Sequence, residues 1–288
     1  VSIPIVFIHQ GNPNYLQYSL SQAHKSNPGS EIVLIGDPSN DRYDYVHHIE
    51  IENYSNSAMN FTEVYKHHSP NPYEYELFCI QRWFVLYEYM KKHELNHSFY
   101  LDSDVLLFTN ITKQQENQFH SKLAMFYNNG PCAVGHSFYA NDRAALKKMC
   151  QFFVRCYTNQ KLYDHLAKLY IDNLEKNAGW GISDMVLLKM FKEHAHFSIQ
   201  NLSLIYNESL FDSNINHSEG METQGRRKKI FLMDGIPYGK LKNKGKWVRL
   251  RSLHLQGESK QFMRHFMNLD TQPKDSILGF NYDSCKWV

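Results

Sequence analysis

The chain reads as an α/β protein in which a Rossmann-like mixed sheet is flanked by helices and followed by an irregular C-terminal portion. Three observations carry this expectation. IPIVFIH at 3–9 and EIVLIGD at 31–37 are short runs rich in β-branched residues, each leading into turn residues, as buried strands do. Between them LQYSLSQAHKS has helical spacing, and strand, helix, strand at this distance is a βαβ unit with parallel pairing. Beyond Phe197 helical periodicity gives way to short strands and loops.

In chain order, the strand at 3–9 runs into the turn GNPN, and the second strand runs into Gly36, Asp37 and Pro38. A polar, Tyr/His-rich connection leads to ELFCIQRWFVLYEYMKKH at 76–93, whose apolar residues occupy more than one face, as in a largely buried helix. The strand SFYLDSDVLLF follows at once, and LAMFYNN at 123–129 is another, stopped by Gly130 and Pro131. SFYANDRAALKKMCQFFVRCY opens a helix capped by Asn141 or Asp142, and LYDHLAKLYIDNLEKN at 162–177 is a further one. Gly179 and Gly181 then break the chain, Ser183 or Asp184 caps, and MVLLKMF makes the next helix. HSEGMETQGRRKK at 217–229 is the most lid-like segment. No internal repeat and no clear linker divide the chain. One domain over 1–288 is expected, with a nucleotide-binding half at 1–110 and a second half at 111–288.

At 288 residues and 42% hydrophobic content, the chain can bury a substantial core without cross-links. A net charge of +2 lacks the basic excess of a dedicated nucleic-acid binder, and no reading helix is recognisable, so no nucleic-acid partner is expected. Five cysteines without a Cys-x-x-Cys pair fit a reduced compartment, hence a cytoplasmic setting, with membrane association open. Asn-x-Ser/Thr triplets at Asn53, Asn60, Asn96, Asn110, Asn201, Asn207 and Asn216 favour the alternative, a secretory lumen with an anchor removed. No apolar run reaches the ~20 residues needed to span a bilayer. The chain opens at Val1 rather than Met, which leaves room for a leader, anchor or neighbouring domain ahead of it. Nothing in the sequence sets the oligomeric state.

Asp102 and Asp104 interrupt an apolar run, where folding alone would favour two more hydrophobic side chains. One residue apart, they project to one face of a continuing strand or converge where the strand bends. Converging carboxylates repel unless a cation lies between them, and hard oxygen ligands favour Mg²⁺ or Mn²⁺ completed by water and substrate phosphate. The competing structural reading is a solvated turn. Far downstream, in RSLHLQGESK, His254 ends an apolar stretch, Gly257 permits close backbone approach and Lys260 supplies a cation. An imidazole can join two carboxylates on Mn²⁺, although His254 taken alone is more often a structural histidine in a chain with sixteen His.

Asp102-Ser103-Asp104 ending a Phe-Tyr-Leu strand, with His254-x-x-Gly257-x-x-Lys260 downstream, resembles the GT-A-fold nucleotide-sugar glycosyltransferases, and in its motifs the glycogenin and lipopolysaccharide galactosyltransferase group. The resemblance implies that Asp102, Asp104 and His254 hold Mn²⁺ or Mg²⁺ against the diphosphate of a nucleotide-sugar donor, with Ser103, Gly257 and Lys260 beside it, and that 111–288 is an acceptor-binding half carrying this C-terminal metal and phosphate loop. It places the loop of His9, Gln10, Gly11, Asn12 and Tyr15 around base and ribose, with Asp37 as a hydrogen-bond acceptor and Arg82 near the phosphate or sugar. Asn128-Asn129-Gly130 resembles a turn lining the sugar site, which makes Asn129 a candidate catalytic residue. Gly179 to Asp184 resembles the turn and acid that meet donor or acceptor hydroxyls, with Asp184 as base in inverting members. Met185 stands where the glycogenin-like pattern has Gln, a departure from the retaining group.

The reaction implied is transfer of a hexose-type sugar, from a UDP-sugar above all, to a glycan, lipid-linked or protein-linked acceptor hydroxyl, by a retaining course. The alternatives are an inverting enzyme with Asp184 as base, a sugar nucleotidyltransferase and a noncatalytic carbohydrate-binding module. HQGNPNY lacks the Gly-rich, basic triphosphate signature expected of the nucleotidyltransferase. The basic residues Arg226 to Lys229, then Lys240, Lys242, Lys244, Lys246, Arg249 and Arg251, read as a solvated face by default. Their functional alternative is a contact with an anionic acceptor, or a lid that closes over the diphosphate. Trp180, between two glycines, is the aromatic residue best placed for sugar stacking.

Overall fold

The apolar runs at 5–9 and 32–36 pair in parallel as β1 (Ile5–His9) and β2 (Ile32–Gly36), in register from Ile5 opposite Ile32 to His9 opposite Gly36. They belong to a computed structural model that describes residues 2–274 and 276–288. Helix α1 (Leu16–Ser26) joins them, and its Leu16, Leu20 and Ala23 pack with Phe7 and Leu34. The polar connection that follows holds β3 (His47–Glu50), parallel to β2, and the short α2 (Asn56–Thr62). Helix α3 (Tyr73–Lys92) buries Trp83, Phe84 and Leu86 as well as Ile80 and Tyr89, which accounts for its apolar residues on several faces.

The expected strand at 98–108 breaks at the aspartates. Its first part is β4 (Ser98–Leu101), parallel to β1, and its second is β5 (Val105–Leu107), which leaves for a different sheet. Next come α4 (Ile111–Gln118), β6 (Leu123–Tyr127) and β7 (Ala133–Ala140). Residues 137–140 therefore finish a strand rather than lead a helix. The helix is α5 (Arg143–Thr158), capped by Asp142, whose carboxylate accepts from Ala144 N and Ala145 N at 2.7 and 3.3 Å. Helices α6 (Gln160–Glu175) and α7 (Asp184–His194) and strand β8 (Ile199–Asn201) complete this layer.

The strand order is β3-β2-β1-β4-β7-β6-β8, with β7 antiparallel to both neighbours and the others parallel. The chain winds one way from β1 to β2 and β3, and places β4 on the other side. That reversal opens a crevice at the carboxyl ends of β1 and β4, where ligands gather in sheets of this kind. His9 ends β1, and Asp102 follows β4 directly.

The residues beyond 197 are more regular than the sequence indicates. β9 (Ser209–Phe211), the two-residue strands β10 (Thr223–Gln224) and β11 (Arg227–Lys228), β12 (Phe231–Met233), β13 (Ile236–Lys240), β14 (Trp247–His254), β15 (Leu278–Asn281) and β16 (Lys286–Trp287) follow in order. A second sheet runs β16-β15-β12-β13-β14-β5, with β9 also on β14. Its core of Leu106, Val248, Leu250, Leu253, Met263 and Phe266 is separate from the two cores that sandwich the first sheet. Segment 217–229 contains the β10–β11 hairpin and the fully buried Lys228, so it is anchored and does not form a free lid.

Gly135 lets α3 approach β7: a Cβ there would lie 2.4 Å from two ring atoms of the buried Trp83. Gly135→Ala is expected to cost about 1–3 kcal/mol, the usual penalty of overpacking. A lower urea midpoint at unchanged slope would show it, and an unchanged midpoint would show that the indole yields.

Candidate active site

The turn at 102–104 is held from both sides. Asp102 N donates to His136 O of β7 at 2.8 Å, and Leu255 N, just past β14, donates to Asp104 O at 2.9 Å. The β5–β14 pairing sets Val105 opposite His254, which brings the histidine beside Asp104.

The two carboxylates then face different partners. Asp102 Oδ1 accepts from Arg82 Nη1 and from Tyr100 OH, both at 2.6 Å. Arg82 Nη2 reaches Asp184 Oδ2 at 2.7 Å, and Trp83 Nε1 donates to that same oxygen at 3.1 Å. Arg82 is thus a bridge between the end of β4 and the start of α7, with its side chain 14% exposed and that of Asp184 5%. Burial pushes the Asp102 carboxyl above its ordinary range, against the pull of the guanidinium. Arg82 is itself buried, yet Asp102, Tyr100 and Asp184 outweigh that cost and hold its charge more firmly than usual.

Asp104 meets cationic groups. His254 Nε2 is 3.5 Å from Oδ1 and Lys260 Nζ 3.3 Å from Oδ2. Burial opposes its ionisation, but His254 and Lys260 outweigh burial and hold the carboxyl well below the usual carboxylate range. Burial likewise disfavours the imidazolium of His254, and Asp104 more than offsets it. His254 Nδ1 lies 2.8 Å from Ser213 O, so Nδ1 carries the proton and Nε2 is the nitrogen turned to Asp104. Lys260 projects from the 3₁₀ turn at 257–266, which Gly257 opens at φ +61°, and its ammonium also sits 4.8 Å from the centre of the Tyr15 ring.

A cavity of about 360 Å³ lies against this turn, and eight of the expected residues line it: His9, Gln10, Tyr15, Arg82, Asp102, Ser103, Asp104 and Lys260. Ser103 Oγ is 3.1 Å from His9 Nδ1, while the buried Nε2 of His9 has no hydrogen-bond partner among the described residues. Gly11, Asn12 and Asp37 do not line the cavity; they hold the loop that carries His9 and Gln10. The Asp37 carboxylate accepts from Gly11 N and Ser39 N, and Asn12 donates to Ser39 O at 2.9 Å, so Asp37 is spent on backbone. Asn129 is exposed in the turn after β6, and no hydrogen bond or ion pair among the described residues joins it to the aspartates. A larger concavity of about 850 Å³ lies between α5 and the end of α7 and contains none of the expected residues.

Among the described residues no three His, Cys, Asp or Glu side chains stand together as a ready metal site. Two of the three expected ligands, Asp104 and His254, face each other, and the third, Asp102, is turned to Arg82. Sequence reasoning also passed over His136, which stacks on His254 with ring centres 4.0 Å apart and is driven well below its ordinary pKa by burial and by its neighbour. A polar residue inside the apolar run AVGHSFYA was the available signal, the same kind that exposed the aspartates. The basic run proves mostly satisfied within the fold. Lys228 and Arg251 are buried, and Arg226, Lys240 and Lys246 pair with Glu258, Glu222 and Glu208.

No family model matches the sequence, and no curated protein matches it. Solved structures do. Mouse xyloside xylosyltransferase 1 is similar at 11% identity over 73% of this chain and 88% of its own, with a TM-score of 0.46. An active-site mutant of LgtC is similar at 11% over 95% and 98%, with a TM-score of 0.49. The bifunctional glycosyltransferase WbbM is similar at 11% over 94% of this chain and 50% of its own, also at 0.49. At such identities and TM-scores these likenesses carry no argument about the chemistry of this chain.

Removing the bridging cation leaves the buried carboxylate of Asp184 and the partly buried one of Asp102 with neutral donors alone. Arg82→Met is therefore expected to cost about 3–5 kcal/mol of folding stability. A loss below about 1 kcal/mol in a chemical denaturation series would contradict this placing of Arg82.

Proposed function

We propose that the chain is a metal-dependent glycosyltransferase that moves a hexose-type sugar from a nucleoside-diphosphate donor, a UDP-sugar above all, to a hydroxyl of a glycan or glycoconjugate. The observation that carries this reading is Asp104 at the crevice of the sheet, with His254 Nε2 on one oxygen and Lys260 Nζ on the other. A carboxylate beside an imidazole whose other nitrogen donates to a backbone carbonyl is a donor set suited to Mn²⁺, or to Mg²⁺ with more water, and metal-bound histidines are oriented in this way. Asp104 and His254 would hold the cation, joined by the Asp102 oxygen that Arg82 does not engage. A bound cation supplies Lewis-acid stabilisation of the departing diphosphate, worth several kcal/mol.

The chain's own groups divide the remaining work. Lys260 presents an ammonium to the diphosphate, and the cavity formed by His9, Gln10 and Tyr15 takes the nucleoside. At about 360 Å³ it falls within the usual range of small-molecule clefts, roughly 300–1,000 Å³. The acceptor oxygen attacks the anomeric carbon as the bond to the phosphate oxygen breaks, and the hydroxyl proton passes to that departing oxygen. This retaining course is favoured by the placing of Asp184, whose Oδ2 already accepts from Arg82 Nη2 and Trp83 Nε1. The inverting alternative needs Asp184 released from Arg82. Pairing within the basic run lowers the case for an anionic acceptor, and half-buried Trp180 remains the candidate for an acceptor sugar.

A panel of nucleotide-sugars with and without Mn²⁺ tests the reading. Turnover of one donor only with the cation, lost at least 100-fold in Asp104→Ala and His254→Ala, is the expected outcome, and indifference to both substitutions would contradict it. Release of pyrophosphate from a nucleoside triphosphate would point to the nucleotidyltransferase, and binding without turnover to a carbohydrate-binding module. Proton NMR of the first-formed product should show the donor's anomeric configuration, and an inverted product would reinstate Asp184 as base. Cation binding must displace the proton from His254 Nε2, whose affinity for that proton is raised. Mn²⁺ affinity should therefore climb as pH rises from about 6 to 8, above the ordinary histidine value of ~6.5, and a flat profile would exclude His254 as a ligand.

A further inference from the structure

Apart from Nε2, which faces Asp104, every polar group of His254 ends on residues 212–215. Its N–H donates to Asp212 Oδ2 at 2.9 Å, its Nδ1–H donates to Ser213 O at 2.8 Å, and its carbonyl accepts from Ile215 N at 3.0 Å. That short segment has no regular secondary structure of its own. What gathers it is Lys228, whose side chain is 0% exposed. Its ammonium donates to the carboxylates of Asp212 and Glu219 and, at 3.0 Å, to Asn214 O, while its backbone N–H donates to Ile215 O at 2.8 Å. Glu219 also accepts from Ser213 Oγ, which closes the ring around the turn.

Stability alone is a weak reason for this arrangement. Taking an ammonium and two carboxylates out of water costs several kcal/mol per ion, and well-packed apolar residues of the same volume commonly do as well or better. An ammonium does offer three directed donors from one point, which no apolar side chain can. Here those donors converge on residues 212, 214 and 219, on either side of the carbonyl that orients the His254 ring.

We propose that Lys228 is a positioning residue for His254: through Asp212, Ser213 and Asn214 it sets the imidazole so that Nε2 faces Asp104. The role in orienting the ring stands on geometry alone, and its consequence for cation binding rests on the function proposed above.

The test uses the full chain labelled with ¹⁵N-histidine, with the His254 signals assigned by their disappearance in His254→Gln. Lys228→Met keeps the aliphatic stem and removes the three donors. Leu166→Ala, a buried α6 residue in a different core, controls for lost stability alone. The wild type and Leu166→Ala should show one exchange-protected Nδ1–H for His254, and Lys228→Met, studied below its unfolding midpoint, should lose it. A protected Nδ1–H that persists in folded Lys228→Met would overturn the proposal. If Lys228→Met does not fold, Glu219→Ala, which withdraws the partly exposed partner of Lys228, decides in its place by faster exchange of that proton, and unchanged exchange counts against the proposal. Free-ion EPR supplies a second reading, with Mn²⁺ binding about 10- to 100-fold weaker in Lys228→Met and unchanged in Leu166→Ala. Equal affinity in wild type and Lys228→Met would count against the cation consequence. A wild type that binds no Mn²⁺ would sink the functional reading and leave the ring-orientation result to judge Lys228.

Discussion

The pairing of three residues, Val105 to Leu107 of β5, with Ser252 to His254 of β14 is the contact on which the site depends. It joins the two sheets directly after the aspartate turn, and it brings side chains about 150 positions apart in the chain to 3.5 Å. Strand pairing is a strong way to fix such a distance, because a slip of one residue would turn His254 to the opposite face. The 3₁₀ turn that follows β14 then carries Lys260 back to the second oxygen of Asp104. One register therefore places both cationic groups.

Asp102 and Asp104 look alike in the sequence and do different work in the fold. Asp102 belongs to a polar bridge inside the first sheet's helical face, where Arg82 ties it to Asp184 and Tyr100 shares its oxygen. Asp104 belongs to the second sheet's edge and answers to His254 and Lys260. The environments act on them in opposite senses, burial raising the first and the neighbouring cations lowering the second. Such a division lets one turn combine a carboxylate tied to a buried guanidinium with one that its neighbours keep ionised, the state the proposed cation site requires.

Features that depend on local chemistry were legible in the sequence. The apolar runs of β1 and β2, the many-sided burial of α3, and the anomaly of two acids in an apolar stretch were all visible and correctly located. Features set by distant pairing were not. β7 was hidden because Gly135, His136 and Ser137 break its apolar alternation, and their cost is met only by Trp83, His254 and neighbouring strands. Lys228 sat in a run of four basic residues and read as solvated surface, since nothing local announces that Asp212, Asn214 and Glu219 will enclose it. The split of one apparent strand into β4 and β5 was likewise invisible, because each half finds its partner in a different sheet.

A crystal of the protein grown with UDP and Mn²⁺ and measured at the manganese absorption edge tests the central claim most directly. The account predicts one strong anomalous peak within bonding distance of both an Asp104 oxygen and His254 Nε2, with the diphosphate beside Lys260. An anomalous peak remote from Asp104, or a nucleotide bound in the cavity with no peak between Asp104 and His254, would contradict it.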